Sequence, residues 1–330
     1  MPGLQSDGQA RCGTVKKVVF VYHSVGGHWL AHEYGGLVSA LNRRGFFVND
    51  ITYVWQPPQC ANGVLKRARN RALSLLRRRP AGARRIGDRT DIGHCYEWFR
   101  GPDAQLIMEA VYRENHESAV FGDHANARSI HPVANPGADQ ENDIVIIKPC
   151  YPNSSYRGRG DEAATAGEWP PRGFAAESPL HTVGNCKRIY HDVLLYFQER
   201  RDKYFVIVTA PPRLALANDG ETARRFSNWL VHEWLQEHGY AGRNVMVFDL
   251  YNVLTSGPGG DTNDLGEEHG NHHRLWRGRE QHVVQDTCNL LAYGRAPNDN
   301  HPSRAGLQKA TAELVELFAY RYEAWRRRNP

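Results

Sequence analysis

Apolar residues recur along the chain in two rhythms. Four short runs are β-branched and apolar at successive positions: "KKVVFVYHS" (16–24), "DIVIIKPC" (143–150), "YFVIVTAPP" (204–212) and "NVMVFDL" (244–250). Runs of that kind predict strands covered on both faces, as in a parallel sheet. "GFFVNDITY" (45–53) is a fifth, weaker one. Between them apolar residues return at helical spacing. "WLAHEYGGLVSALNRRG" and "GETARRFSNWLVHEWLQEHG" each end in a Gly stop, and "GPDAQLIMEAVYREN" opens with Pro. "TVGNCKRIYHDVLLYFQERR" has the same pattern, and the C-terminal "SRAGLQKATAELVELFAYRYEAWRRR" has Ser303 placed as its N-cap.

Strand alternating with helix predicts an α/β fold: a three-layer α/β/α sandwich around a mainly parallel five-stranded sheet. One domain is expected over 15–330, after a disordered N-terminal tail at 1–14. Polar stretches rich in Gly, Pro, Asn and Arg interrupt the pattern at roughly 54–86, 124–142, 156–179 and 255–282. Loops of such length in a compact domain are lids, binding loops or disordered segments.

Composition narrows the class. The 330 residues are 41% hydrophobic, 10% aromatic and 23% charged, which is globular. No run approaches the roughly 18 apolar residues of a membrane span. The first residues lack the apolar core of a secretory signal, so a cytoplasmic location is the expectation. Six scattered cysteines without a CxxC pair argue against a disulfide framework or a zinc finger. The net charge of +5 is uneven, because Leu65 to Arg85 holds many Arg and Lys and no acid. A solvated basic face is the plain reading of that segment, and a patch for an anionic partner the sharper one. With no aromatics interleaved as stacking platforms, it argues against nucleic acid.

In parallel α/β sheets ligands gather at the carboxyl ends of the strands. Attention therefore falls on Ser24, on "KPCYPNSS" and on "TAPPR", which all follow strands. A serine becomes a nucleophile only when a base takes its proton and N–H groups hold the developing oxyanion. Ser24 is followed by Gly26-Gly27 and a helix, so it reads either as a turn or cap residue or as a nucleophile beside a helix N-terminus. "NDNHPSRAG" sets His301-Pro302 before the last helix, with Asp299 two residues earlier, as a candidate base and its orienting acid. Asn153, in "KPCYPNSS", is either a turn residue or an amide donor to an oxyanion. Cys150 reads as a small core residue.

In this order, Ser24, Asn153 and the Asp299/His301-Pro302 block resemble the SGNH (GDSL-type) hydrolases. The branch resembled has a first block reading HHS(T/V)GG in place of GDS. "YHSVGGHWL", "IGDRTDIGHCYEWFRGPD", "DIVIIKPCYPNS" and "NHPSRAGLQKATAELV" carry the likeness. The resemblance implies a flavodoxin-like sandwich and hydrolysis of ester or related amide acyl groups without a metal or other cofactor. The acyl group would be a small one, such as acetyl on a sugar or small metabolite, with anionic substrates among the candidates. It implies Ser24 as nucleophile, His301 as base, and Ser24, Gly87 and Asn153 as oxyanion donors; Gly93 and Gly122 are alternatives to Gly87. His23, Gly26, Gly27, Trp29, Asp88, Arg89 and Arg213 are the candidate substrate contacts, with a salt bridge as the alternative for Asp88 and Arg89. The family's acid stands three residues before its histidine, where this chain has Asn298, so Asp299 or Asn298 supports His301. Three alternatives stay open: an acyltransferase, a non-catalytic glycan- or metabolite-binding protein of the same fold, and a metal-dependent hydrolase using His269, His272 and His273.

Overall fold

The computed structural model describes residues 15–58, 85–117, 126–214, 217–255, 270–285 and 289–329. Five parallel strands form the central sheet: β1 (Lys16–Tyr22), β2 (Phe46–Ile51), β3 (Ile144–Lys148), β4 (Tyr204–Val208) and β5 (Val245–Phe248). They lie in the order β2-β1-β3-β4-β5. Helices α1 (Gly26–Leu30) and α2 (Leu37–Arg43) join β1 to β2, and α3 (Cys95–Phe99) and α4 (Ala104–Tyr112) lie between β2 and β3. Then follow α5 (Val183–Glu199), α6 (Ala217–His232), α7 (Trp234–Glu237) and α8 (Leu250–Val253). Two hairpins, β6 (His272–Trp276) with β7 (Arg279–Val283) and β8 (Gly294–Ala296) with β9 (Asp299–Pro302), precede α9 (Arg304–Arg326).

The side-chain alternation of the strands builds the two outer layers. Val19 and Val21, Val145 and Ile147, Phe205 and Ile207 face a core closed by α3, α4, α5 and α6. Val18, Phe20 and Tyr22, Ile144 and Ile146, Val206 and Val208 face the opposite core, closed by α1, α2, α8 and α9. Each fully buried Leu, Ile, Val or Phe contributes about 1.5–3 kcal/mol. The uniformly apolar strands are therefore explained by burial on both faces.

The α/β/α sandwich and the five-stranded sheet agree with the apolar pattern. The pattern missed the hairpins. Within the stretch 255–282, expected to be a loop, lie β6 and all but the last residue of β7, and His272 and His273 are fully buried there. The tail at 1–14, the basic stretch up to residue 84, Gly122 and His269 lie outside the described residues. Among the described residues no helix is long and apolar enough to cross a membrane.

The order β2-β1-β3 means that the chain leaves β1 to one side and β3 to the other. That reversal sets a topological switch point at the carboxyl ends of β1 and β3, the place where ligands of doubly wound sheets sit. Register sets Tyr22 beside Lys148, so the segments leaving β1 and β3 emerge side by side.

Candidate active site

Ser24 leaves β1 with φ +54°, a left-handed conformation that is rare outside glycine. The strain lies in a tight strand-to-helix turn of the kind that thrusts a serine oxygen out of the fold. Ser24 caps nothing with its side chain, because α1 has no side-chain cap. Its Oγ lies 2.6 Å from Nε2 of His301 instead. The helix is only five residues long, so its dipole contributes less than the sequence suggests.

His301 reaches Ser24 from β9. Pro302 is buried, and Ser303 caps α9 by accepting from the Gly306 N–H. The Leu214 N–H donates to Asn300 Oδ1 at 2.8 Å and ties the hairpin to the segment leaving β4. Tyr151 meets the His301 ring edge-on, with centroids 5.3 Å apart.

Asp299, rather than Asn298, is the partner of His301. Its Oδ1 lies 2.5 Å from His301 Nδ1 and accepts the His301 backbone N–H at 3.0 Å. Its Oδ2 accepts from Arg295 at 2.7 Å. Burial opposes the charged carboxyl, but the bonds from the His301 backbone and ring, with Arg295 added, hold its pKa below the usual carboxylate value. A carboxylate at Nδ1 can only accept, so Nδ1 carries the ring proton and Nε2 is left to accept from the Ser24 hydroxyl.

The other sequence candidates are arranged differently. Asn153 is fully buried, and its amide donates to Asp91 Oδ1 at 2.7 Å and to the Cys150 carbonyl at 3.2 Å. Its Oδ1 accepts the Ile92 N–H at 2.9 Å. Both amide protons are engaged, so Asn153 braces the β3 exit against the turn at Ile92–His94 and offers no free donor. Gly87 is engaged in a similar way. Its N–H donates to the Trp55 carbonyl at 2.9 Å, and its own carbonyl accepts from His23 Nε2. A Cβ there would lie 2.3 Å from the Thr52 carbonyl, which explains the glycine by packing. Gly93, the alternative, packs against Phe174.

Trp29 is in the core. It is fully buried, edge-on to Phe20, and donates its indole N–H to Thr311 at 2.9 Å. Gly26 clears the Tyr22 ring, which a Cβ would meet at 2.3 Å; Gly27 is buried beside it. Arg89 pairs with Glu97 at 2.6 Å, the salt-bridge alternative. Asp88 accepts the Val54 N–H at 2.8 Å. Arg213 sits on the β4 exit and donates to the Ser155 hydroxyl.

Three features escaped the sequence. The Tyr53 hydroxyl accepts the Ser24 N–H at 3.1 Å, and the Tyr53 ring stacks on His23 with centroids 4.0 Å apart. Lys148 is fully buried at the end of β3, its ammonium without a hydrogen-bond partner among the described residues. Burial pushes its pKa down, against the favourable influence of Cys150. Third, the hairpin histidines have carboxylate partners. His272 Nδ1 lies 2.8 Å from Glu313, His273 Nε2 3.2 Å from Glu280, and His282 Nε2 2.9 Å from Asp249. His272 and His273 face different partners, and among the described residues no group of three His, Cys, Asp or Glu is gathered to hold a metal. Among the described residues the metal-site alternative therefore has no ligand cluster, and His269, its third ligand, lies outside them.

Comparison of the chain with models of protein families, with curated proteins and with solved structures finds no match in any of the three.

Proposed function

We propose that this protein is a serine hydrolase that cleaves the ester, or a related amide, of a small acyl group. The observation that carries the reading is the unbroken chain from Asp299 Oδ1 to His301 Nδ1 (2.5 Å) and from His301 Nε2 to Ser24 Oγ (2.6 Å). It sits at the switch point of the sheet, on a strained turn, where a doubly wound fold binds ligands. The likeness to SGNH hydrolases supports the same chemistry.

His301 removes the Ser24 proton as Oγ attacks the acyl carbonyl, and Asp299 stabilises the imidazolium that forms. The Ser24 N–H stands beside the oxyanion of the tetrahedral intermediate. His301 returns the proton to the leaving alcohol, and a water activated by the same ring releases the acyl group. A sugar or small-metabolite acetate is the substrate class expected, with an anionic one favoured by Arg213 on the β4 exit, whereas Arg295 is spent on Asp299. A non-catalytic binding protein would have no need of both short hydrogen bonds.

Turnover of short-chain aryl acetates and of acetylated sugars tests the reading. Wild-type protein should hydrolyse at least one of them, and Ser24→Ala should lose about a thousandfold or more of kcat with an unchanged melting temperature. Equal turnover by that variant would reject Ser24 as nucleophile. Added acceptor alcohols that capture the acyl group would identify a transferase.

A further inference from the structure

Resting on the serine hydrolase reading, we propose that the Tyr53 hydroxyl is the second donor of the oxyanion hole, beside the Ser24 N–H. The two other groups assigned to that task by the sequence are occupied. Gly87 N–H donates to Trp55 at 2.9 Å, and the Asn153 amide is divided between Asp91 and Cys150. Tyr53 is where a donor is needed, because its oxygen lies 3.1 Å from the Ser24 nitrogen. In the resting site that oxygen accepts the Ser24 N–H, which leaves its own O–H proton unspent. A substrate oxygen entering between them takes over the N–H, and the phenol turns its proton onto it. One atom can lie within about 3 Å of both donors, the distance an oxyanion requires. No proton is transferred from Tyr53, and no bond to it forms or breaks.

The surroundings hold this hydroxyl in place. His23 stacks beneath the ring at 4.0 Å, with an interplanar angle of 17°. His23 Nε2 is bonded to the Gly87 carbonyl, which fixes the imidazole plane. Asp88 grips the next residue through the Val54 N–H at 2.8 Å. Val54 itself takes φ +63°, a conformation that β-branched residues adopt only where the surroundings impose it. Burial raises the Tyr53 pKa, with Cys150 adding to the effect, so the phenol keeps its proton through the neutral range. The residue is 40% exposed, on the solvent side from which a substrate arrives. His23 and Asp88 thereby become positioning residues for Tyr53.

Tyr53→Phe retains the ring on His23 and removes only the hydroxyl. Three readouts are compared between it and the wild type: kcat and KM on an aryl acetate, binding of an alkyl trifluoromethyl ketone, and labelling of Ser24 by a fluorophosphonate. The ketone forms a hemiketal oxyanion on the serine. The variant should lose about 100- to 1000-fold in kcat with KM changed less than about threefold. Its affinity for the ketone should fall by a similar factor, while its melting temperature stays that of the wild type. Wild-type kcat and ketone affinity in a variant whose Ser24 is still labelled would overturn the role of Tyr53 and leave the hydrolase reading intact. Faster turnover in the variant would also overturn it, by making the hydroxyl a plug in the hole. Wild-type protein with neither turnover nor labelling would overturn both.

Discussion

Ser24 Oγ and His301 Nε2 are 277 residues apart in the chain and 2.6 Å apart in the fold. The sheet carries one to the end of β1, and a three- to four-residue hairpin arm carries the other back over it just before α9. Asp299 completes the line from the same arm, two residues from the ring it orients.

Replacing Asp299 by Asn should lower kcat by about 100- to 10,000-fold with little change in KM. An amide at Nδ1 can hold the ring in the wrong tautomer and cannot stabilise an imidazolium. In the wild type Asp299 has its pKa depressed, so its charge is present above the ordinary carboxylate value and is lost only as pH falls through the lower one. Activity of the wild type should therefore not decline through protonation of Asp299 until pH is below about 4, the unperturbed value. Steady-state kinetics of both proteins across pH check this; an Asp299→Asn variant with wild-type kcat would refute the role of the carboxylate.

Asn153→Ala separates a brace from an oxyanion donor. Its three hydrogen bonds link Asp91, Ile92 and Cys150 in a fully buried position. Truncation strands those partners, so the variant should lose about 2–4 kcal/mol of stability. Chemical denaturation measures the loss. Full stability combined with a 100-fold lower kcat would instead return Asn153 to the oxyanion hole.

The sheet was legible because its strands are buried on both faces and so read as continuous apolar runs. Ser24, His301 and Asp299 were legible because they follow predicted strands or precede the last helix. Tyr53 was not, since stacking on His23, far upstream in the chain, and the left-handed turn at Val54 leave no local pattern. Asn153 was ambiguous for a related reason: one amide suits a brace and an oxyanion hole equally, and the sequence does not show its buried partners Asp91 and Cys150. The β6–β7 hairpin escaped because His272 and His273 enter the core paired with Glu313 and Glu280. Polar residues buried in pairs read from sequence as a solvated loop.

Lys148→Met should stabilise the protein by about 1–3 kcal/mol near neutral pH, because a buried amine without a hydrogen-bond partner among the described residues is replaced by an apolar chain of similar size. The sign with pH follows from its lowered pKa. The unfolded lysine holds its proton up to about 10.5, whereas the buried one releases it earlier. The unfolded chain then binds more protons, and stability rises with pH over that interval. Denaturation at neutral and alkaline pH should show this rise in the wild type and its loss in the variant. A destabilised variant would mean that the amine has a partner when the protein folds.

His94 and His191 contribute to the acid response. Burial pushes both pKa values down to about 4, against the pull of Asp91 on His94 and with His238 assisting at His191. An unfolded histidine protonates near 6.5, so the unfolded chain takes up protons that the folded one refuses between 6.5 and 4. The stability contribution of the two rings is complete above 6.5 and falls as pH drops through that window. The difference in stability, read from melting temperatures, between the wild type and a His94→Gln, His191→Gln double variant, which has neither ring to protonate, should be constant above 6.5, and the wild type should lose ground to the variant as pH falls from 6.5 toward 4. Parallel curves would refute the assignment.

The most direct measurement is reaction of the folded protein with a fluorophosphonate, followed by peptide mapping of the modified residue. One adduct on Ser24, formed in step with loss of esterase activity, absent from Ser24→Ala and slowed at least about a hundredfold in His301→Ala, is the expected result. A folded wild-type protein that stays unmodified, or that is modified elsewhere with Ser24 intact, would contradict the serine hydrolase reading.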